Sequence, residues 1–172
     1  PLYLWLPQAY ANTSAPVAAL FAIMTKVGLY AIIRIHGTLF GEQAAELAAI
    51  HIPWVLWLGL ITLFLAALGA IASRNLREQV AYLVLASVAT LLVGIGINSV
   101  EAMSATIFYL MHSTLIAGAM FLIADWIRQG RGEAQDQFIS AQAMPNAIVV
   151  GSIFMISAIA MTGLPPLSGF IG

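Results

Sequence analysis

The sequence predicts an all-α integral membrane protein, a polytopic helix bundle in which prolines and glycines break some of the helices. Of its 172 residues, 62% are hydrophobic and 8% are charged, whereas soluble domains have about 45–50% apolar and about 25% charged residues. The mean hydropathy is +0.98, and apolar runs of about 20 residues, the length that crosses a bilayer as a helix, recur along the chain. This composition excludes a water-soluble enzyme.

Net charge and cysteine content exclude further classes of function. The six Lys and Arg residues and the seven Asp and Glu residues nearly cancel, so the chain has no basic surface for nucleic acid. Because there is no cysteine, disulfides and thiolate metal ligands are excluded as well. The sequence contains no nucleotide-binding glycine loop and no nucleophile motif, so we expect no cofactor and no metal.

The chain begins at Pro1 without an initiator Met, a basic segment or a signal cleavage site, so we expect a fragment of one membrane domain. Residues 1–14 are apolar but too short to cross a bilayer, and we interpret them as the end of an earlier span. Five full spans follow, at residues 15–35, 54–73, 79–97, 103–127 and 145–164. Because helices pack through small residues in lipid, we expect close contacts at Gly59, Gly69, Gly94, Gly96 and Gly118.

Arginines predict the orientation of the chain in the cell inner (plasma) membrane. The connectors at 74–78 and 128–144 hold four of the five arginines, and only Arg34 lies toward the opposite side. The positive-inside rule therefore places these two connectors in the cytoplasm, and residues 36–53 and 98–102 outside. We interpret 128–144 as a solvated loop or a short surface helix.

Prolines near both ends of the chain predict interrupted helices. Pro1 and Pro7 flank Trp5, and Pro165 and Pro166 follow the last apolar run. Proline lacks an N–H group and clashes with the preceding turn, and a broken helix at membrane depth needs a cover of protein or a water-filled cavity. Paired broken helices are typical of transport sites, although a proline kink that only shapes packing would have the same sequence.

Lys26 is the most informative polar residue, because it lies near the middle of the 15–35 span. A lysine at that depth costs about 2.5–3.5 kcal/mol on insertion scales, and either interface is beyond the reach of its side chain. We therefore expect Lys26 to face protein or water and to load and release a proton, unless it forms a structural salt bridge. Tyr30 and Arg34 follow on the same helix face as supporting groups, and an interfacial role for Arg34 is the simpler interpretation.

His112 lies in the middle of the 103–127 span, and Tyr109 and Ser113 extend the polar surface of that helix. Imidazole titrates near neutral pH and can accept a proton at one nitrogen while it releases one at the other. We interpret His112 as a proton relay, with helix packing as the alternative. Ser87 and Thr90 give the preceding helix a weaker polar face, which we interpret as packing.

Six motifs occur along the chain: PLYLWLPQAY at 1–10, APVAAL at 15–20, TKVGLYA at 25–31, LREQVAY at 76–82, HS at 112–113 and GLPPLSGFIG at 163–172. Together they resemble one family, the antiporter-like subunits shared by respiratory complex I, membrane-bound hydrogenases and Mrp-type cation/proton antiporters. The resemblance covers essentially the whole chain.

The resemblance implies that this chain extends from the end of a broken seventh helix to the break in a twelfth helix, in a protein built from a pair of inverted repeats. Lys26 then matches the lysine of the eighth helix and His112 the histidine of the eleventh. The seventh-helix lysine would precede Pro1, and the twelfth-helix lysine or glutamate would follow Gly172. The fifth-helix glutamate would also lie outside, which accounts for the missing counterion of Lys26.

Within the family, the chain is most similar to the D subunits of Mrp-type antiporters. Tyr3 and Gln8 replace a histidine and an aspartate that are usual in complex I, and 83–90 lacks the Ser/His-rich stretch of those subunits. The resemblance implies exchange of Na⁺ or K⁺ for protons, with other membrane subunits as partners. The alternatives are a proton-pumping subunit of NADH:quinone oxidoreductase or of a hydrogenase, and a passive scaffold.

Overall fold

The computed structural model describes residues 5–39, 51–141 and 144–165, and within these ranges the chain is helical, with six α-helices and one short 3-10 turn. Four helices are long and apolar enough to cross a membrane, and the last one is shorter. The helices are α1 (Trp5–Asn12), α2 (Ala15–Leu39), α3 (Ile52–Ala72), α4 (Leu76–Ile97), α5 (Val100–Gly130) and α6 (Ala147–Thr162).

Pro7 is the third residue of α1, and the helix continues beyond it to Asn12. Proline is tolerated in a first turn, where its missing N–H group has no helical acceptor. The predicted interruption on the N-terminal side of Pro7 concerns residues 1–4, which lie outside the described ranges, and a break within those ranges follows between α1 and α2, at Thr13 and Ser14. Across this corner the hydroxyl of the buried Tyr10 donates a hydrogen bond to the carbonyl of Phe21 at 2.6 Å. Pro1 lies outside the described residues.

The turns on either side of α4 are shorter than predicted. Only residues 73–75 separate α3 from α4, so most of the predicted 74–78 connector is helical. Only Asn98 and Ser99 separate α4 from α5, and the Oγ of Ser99 accepts a hydrogen bond from the N–H of Ala102 at 3.1 Å. A serine in this position caps a helix, which explains why α5 begins before the predicted residue 103.

Helix α4 lies at the centre of the bundle and packs against α1, α2, α3 and α5, and α6 packs against α5. Glycine lets α3 and α4 approach closely. A Cβ atom at Gly96 would lie 2.8 Å from the Cα of Leu56, and one at Gly69 would collide with the ring of Tyr82. Gly59 faces Val93 in the same interface. The predicted close contacts at these glycines are confirmed.

Helix α6 has 16 residues, which corresponds to about 24 Å at about 1.5 Å per residue. It ends before Pro165 because Gly163 adopts a left-handed conformation with φ of 72°. The N–H groups of Gly163 and Leu164 bond to the carbonyls of Ala160 and Ile159, at 3.3 and 3.2 Å, a pattern that closes helix ends. The second predicted break is thus a glycine-terminated helix end followed by proline, and Pro166 lies outside the described residues.

The connector after α5 is not simply a solvated loop. Asp136 is buried, and its carboxylate accepts a hydrogen bond from the N–H of Arg77 at 3.1 Å while its carbonyl accepts one from Leu76 at 2.9 Å. Since Asn75 makes no side-chain cap at the start of α4, Asp136 serves as the N-cap from 59 residues away. The connector therefore fixes the start of the central helix.

Candidate functional site

Lys26 lies inside the bundle with 2% of its surface exposed. It is carried by the fourth turn of α2, and its Nζ atom donates a hydrogen bond to Oγ of Ser87 on α4 at 3.1 Å. The Ser87 hydroxyl in turn donates to the carbonyl of Val84 at 2.7 Å. The hydroxyl oxygen thus directs a lone pair at the ammonium group, and the predicted inward orientation of Lys26 is confirmed.

No carboxylate in the described ranges lies within 4.0 Å of Lys26, since the ion pair found there joins Arg128 to Asp125 near the end of α5. A buried ammonium without a paired acid is unusual, because burying an isolated charge is unfavourable. Ser87, which the sequence analysis interpreted as a packing residue, is also the hydrogen-bond acceptor of this ammonium group. The signal that could have identified it was the equal depth of Lys26 and Ser87, each at the twelfth residue of its helix.

Tyr30 and Arg34 do not join the Lys26–Ser87 pair. Both side chains are exposed, Tyr30 to 54%. Tyr30 and Lys26 instead line one groove of about 390 Å³ between α2 and α5, to which Thr114 also contributes. The remaining lining is apolar, so this groove offers no polar route to the ammonium group.

His112 bonds to the end of α6. Its Nε2 atom lies 3.0 Å from the carbonyl oxygen of Ala160, in the last turn before Gly163. Because a carbonyl oxygen only accepts, Nε2 carries the hydrogen in this arrangement. The geometry therefore connects His112 directly with the helix end that precedes Pro165.

The other polar residues of α5 differ in their surroundings. Tyr109 packs near His112, with ring centroids 6.3 Å apart. Ser113 is buried and its hydroxyl bonds to the carbonyl of Leu110 on its own helix at 3.3 Å. Thr106 is buried and bonds in the same way to Ala102 at 2.6 Å. Tyr109 is thus the group that extends the His112 site toward the α4–α5 turn.

Arg77, which sequence analysis assigned to a loop, is buried in the first turn of α4. Its guanidinium group donates a hydrogen bond to the carbonyl of Thr13 in the α1–α2 corner. The residue therefore links the chain break at Thr13 to the start of the central helix. Within the described ranges, no cluster of three or more His, Cys, Asp or Glu residues could hold a metal ion.

Comparison with known proteins agrees with this architecture. The profile of a family described as NADH:quinone oxidoreductase/Mrp antiporter, transmembrane, matches residues 1–172. The D subunit of a probable K⁺/H⁺ antiporter of Rhizobium meliloti is 34% identical over 189 residues, which cover 99% of this chain and 35% of the relative. The D subunit of the Na⁺/H⁺ antiporter of Bacillus subtilis is 37% identical over 177 residues, which cover 100% of this chain and 34% of the relative.

The chain thus spans about a third of the length of these curated relatives. A chain in the structure of the Mrp complex from Dietzia sp. DQ12-45-1b superposes with a TM-score of 0.78 at 29% identity, over 99% of this chain and 31% of that chain. These matches confirm the resemblance that the motifs indicated. The chain belongs to the NADH:quinone oxidoreductase/Mrp antiporter transmembrane family.

Proposed function

We propose that this chain is part of the D subunit of an Mrp-type antiporter, which exchanges a monovalent cation, Na⁺ or K⁺, for protons. The observation that carries the proposal is the buried Lys26 ammonium, bonded to Ser87 across two helices without an acid nearby in the described ranges. The names of the two relatives, both antiporter D subunits, support antiport over proton pumping in a respiratory enzyme.

Lys26 is the titrating centre in this proposal. Intramembrane ionisable residues that face the bundle interior are typical of ion and proton pathways. An ammonium held by the hydroxyl of Ser87 can give its proton to a neighbouring acceptor and regain it later. A carboxylate partner would hold the charge more firmly. The proton-motive force drives this cycle, and no bond-making chemistry is needed.

His112 serves as the relay, and Tyr109 and Ser113 support it. Its hydrogen bond to Ala160 places the imidazole beside the end of α6, and the two nitrogens of the ring can hold and pass on a proton. The Pro/Gly breaks near Trp5 and Pro165 admit water to the polar axis, since broken helices at membrane depth border protein or a water-filled cavity.

The assembly and location follow from the same proposal. The lipid bilayer, the rest of the subunit and other membrane subunits contact the apolar side chains that the helices expose, among them Met24, Trp57, Met111 and Leu115. The solved relative is part of an Mrp complex, which supports a hetero-oligomer. The protein lies in the cell inner membrane, with the connectors at 74–78 and 128–144 in the cytoplasm.

The test is to replace Lys26 in the full-length subunit within its complete complex. Lys26→Ala removes the titrating group, and Lys26→Arg keeps a positive charge that does not deprotonate in proteins. Exchange is measured as cation-induced collapse of an imposed pH gradient in membrane vesicles, together with assembly of the complex. We expect both variants to assemble and to lose most of the exchange activity.

The arginine variant separates the proposal from its alternatives. If Lys26 only supplied a structural positive charge, Lys26→Arg would retain exchange while Lys26→Ala would lose assembly. Undiminished exchange by a normally assembled Lys26→Ala complex would overturn the proposal and leave a scaffold role.

A further inference from the structure

A cleft of about 470 Å³ lies where α4, α5 and the end of α6 meet. On α4 and α5 its lining extends from the middle of the bundle to the α4–α5 turn, at residues 90–97 and 102–109. The α6 side consists of residues 161–163. Oxygen-bearing side chains and the end of a helix backbone therefore surround one space.

The end of α6 contributes carbonyl groups that its own sequence leaves without helical partners. Met161 and Thr162 both line the cleft, and their carbonyls would normally accept hydrogen bonds from the residues four positions later. Those residues are Pro165 and Pro166, which have no N–H group. Proline at these positions thus leaves both carbonyl oxygens without their helical donor, at the negative end of the helix dipole, which attracts cations.

Three threonine hydroxyls add further acceptors to the cleft lining. Each donates its hydrogen to a carbonyl of its own helix: Thr90 at 3.0 Å, Thr106 at 2.6 Å and Thr162 at 3.0 Å. With the hydrogen used in this way, only lone pairs of the oxygen are left for a ligand. The threonines thus present acceptors, which suits a cation and not an anion.

The charge of the lining decides which cation fits. Among the described residues that line the cleft, none is an Asp, Glu, Lys, Arg or His. Divalent Ca²⁺ and Mg²⁺ are bound through carboxylates, so a neutral set of hydroxyl and carbonyl oxygens disfavours them. Such a set is the kind that binds alkali ions at broken helices in transporters.

We propose that this cleft binds the monovalent alkali cation, Na⁺ or K⁺, through the carbonyl groups of Met161 and Thr162 and the hydroxyls of Thr90, Thr106 and Thr162. The inference rests on the proposed antiport, for which it names a cation site. His112 bonds to the carbonyl of Ala160 in the same helix end. The proposed cation site and His112 therefore both contact the end of α6. Tyr109 lines the cleft and also packs near His112.

The test uses Thr106→Val and Thr162→Val, singly and together, in the full-length protein within its complete complex. Each change replaces a hydroxyl with a methyl group of similar size. Exchange in vesicles is measured against NaCl or KCl concentration at fixed pH. We expect the KM for the cation to rise several-fold in each single variant and further in the double variant, while the maximal rate stays near that of the wild type.

Ser104→Ala is the matched control, because Ser104 is exposed on α5 and bonds only to Val100 of its own helix in the described contacts. It is expected to leave the KM unchanged. An unchanged KM in the assembled double variant would overturn the cation site, although wild-type exchange would leave the proposed function standing. Failure of the proposed function would appear separately, as undiminished exchange in Lys26→Ala. Should the double variant not assemble, each single variant gives the same comparison.

Discussion

At the residue scale, burial could be predicted from the sequence and contact partners could not. The position of Lys26 in the centre of an apolar run was enough to predict that it faces the interior, since exposure to lipid is strongly unfavourable there. Its partner Ser87 is 61 residues away. Which side of α4 meets α2 depends on the rotation of both helices, and serine is common in helix interfaces. His112 was identified for the same reason as Lys26. Its contact with Ala160, 48 residues away, could not be predicted from the sequence.

Ser87→Ala tests the partner of Lys26. The substitution leaves the ammonium without its hydroxyl acceptor, and a hydrogen bond to a charged group is worth about 1.5–3 kcal/mol. We expect the exchange rate to fall by roughly tenfold, which corresponds to about 1.4 kcal/mol, while Ser87→Thr retains most of the activity. The measurement is the same vesicle assay as for Lys26.

Thr62→Val is the control for that experiment. Thr62 is also buried, but its hydroxyl bonds to Leu58 of its own helix at 2.7 Å. Its replacement deletes a buried hydroxyl group on α3 that bonds within its own helix. Exchange is therefore expected to stay close to that of the wild type. Equal losses in Ser87→Ala and Thr62→Val would assign Ser87 a packing role.

At the element scale, the sequence predicted where helices exist better than where they end. Apolar runs identified α2 to α6, because run length and composition follow directly from the bilayer. The ends depend on caps. Ser99 caps α5 locally, so its signal was present in the sequence, whereas Asp136 caps α4 from the far end of α5. A cap supplied by another part of the chain leaves no local pattern.

Asp136→Ala tests this cap. Loss of a capping side chain costs about 0.5–2 kcal/mol of stability. Here the loss would leave the N–H of Arg77 without its buried acceptor. We expect a lower thermal unfolding temperature for the purified complex, followed by circular dichroism. Asp136→Asn keeps an acceptor oxygen and is expected to lie between Asp136→Ala and the wild type.

Glu133→Ala provides the comparison, because Glu133 is an exposed acid in the same connector. Its replacement is expected to leave the unfolding temperature unchanged. If Asp136→Ala and Glu133→Ala unfolded at the same temperature, Asp136 would not stabilise the start of α4.

At the scale of the whole molecule, the described residues form a bundle with a mostly apolar outer surface, and their charged side chains other than Lys26 lie toward the helix ends or in the connectors. Exposed apolar residues occur on every long helix, for example Leu20, Phe64, Ile107 and Leu122. The composition alone predicted a membrane protein, because a chain with so many apolar residues must expose some of them. Soluble proteins rarely expose large apolar patches. The arrangement around α4 could not be derived, since it depends on side-chain fit between helices.

The orientation in the membrane is tested with cysteines, since the chain has none of its own. In an otherwise cysteine-free full-length protein, Glu133→Cys and Glu101→Cys each introduce one exposed thiol, near opposite ends of α5. We expect a membrane-impermeant maleimide to label Glu101→Cys in intact cells, and Glu133→Cys only after the membrane is permeabilised. The reverse labelling pattern would contradict the positive-inside assignment.

The distant cap has a consequence for how the protein is made. Asp136 follows Arg77 by 59 residues, so α4 leaves the ribosome and meets the translocation machinery long before the carboxylate that closes its first turn has been translated. Until α5 has been inserted into the membrane and the connector has emerged, the first turn of α4 lacks this acceptor. The order of synthesis thus makes the capping of α4 a late step, which is completed only after α5 and the connector that follows it have been made.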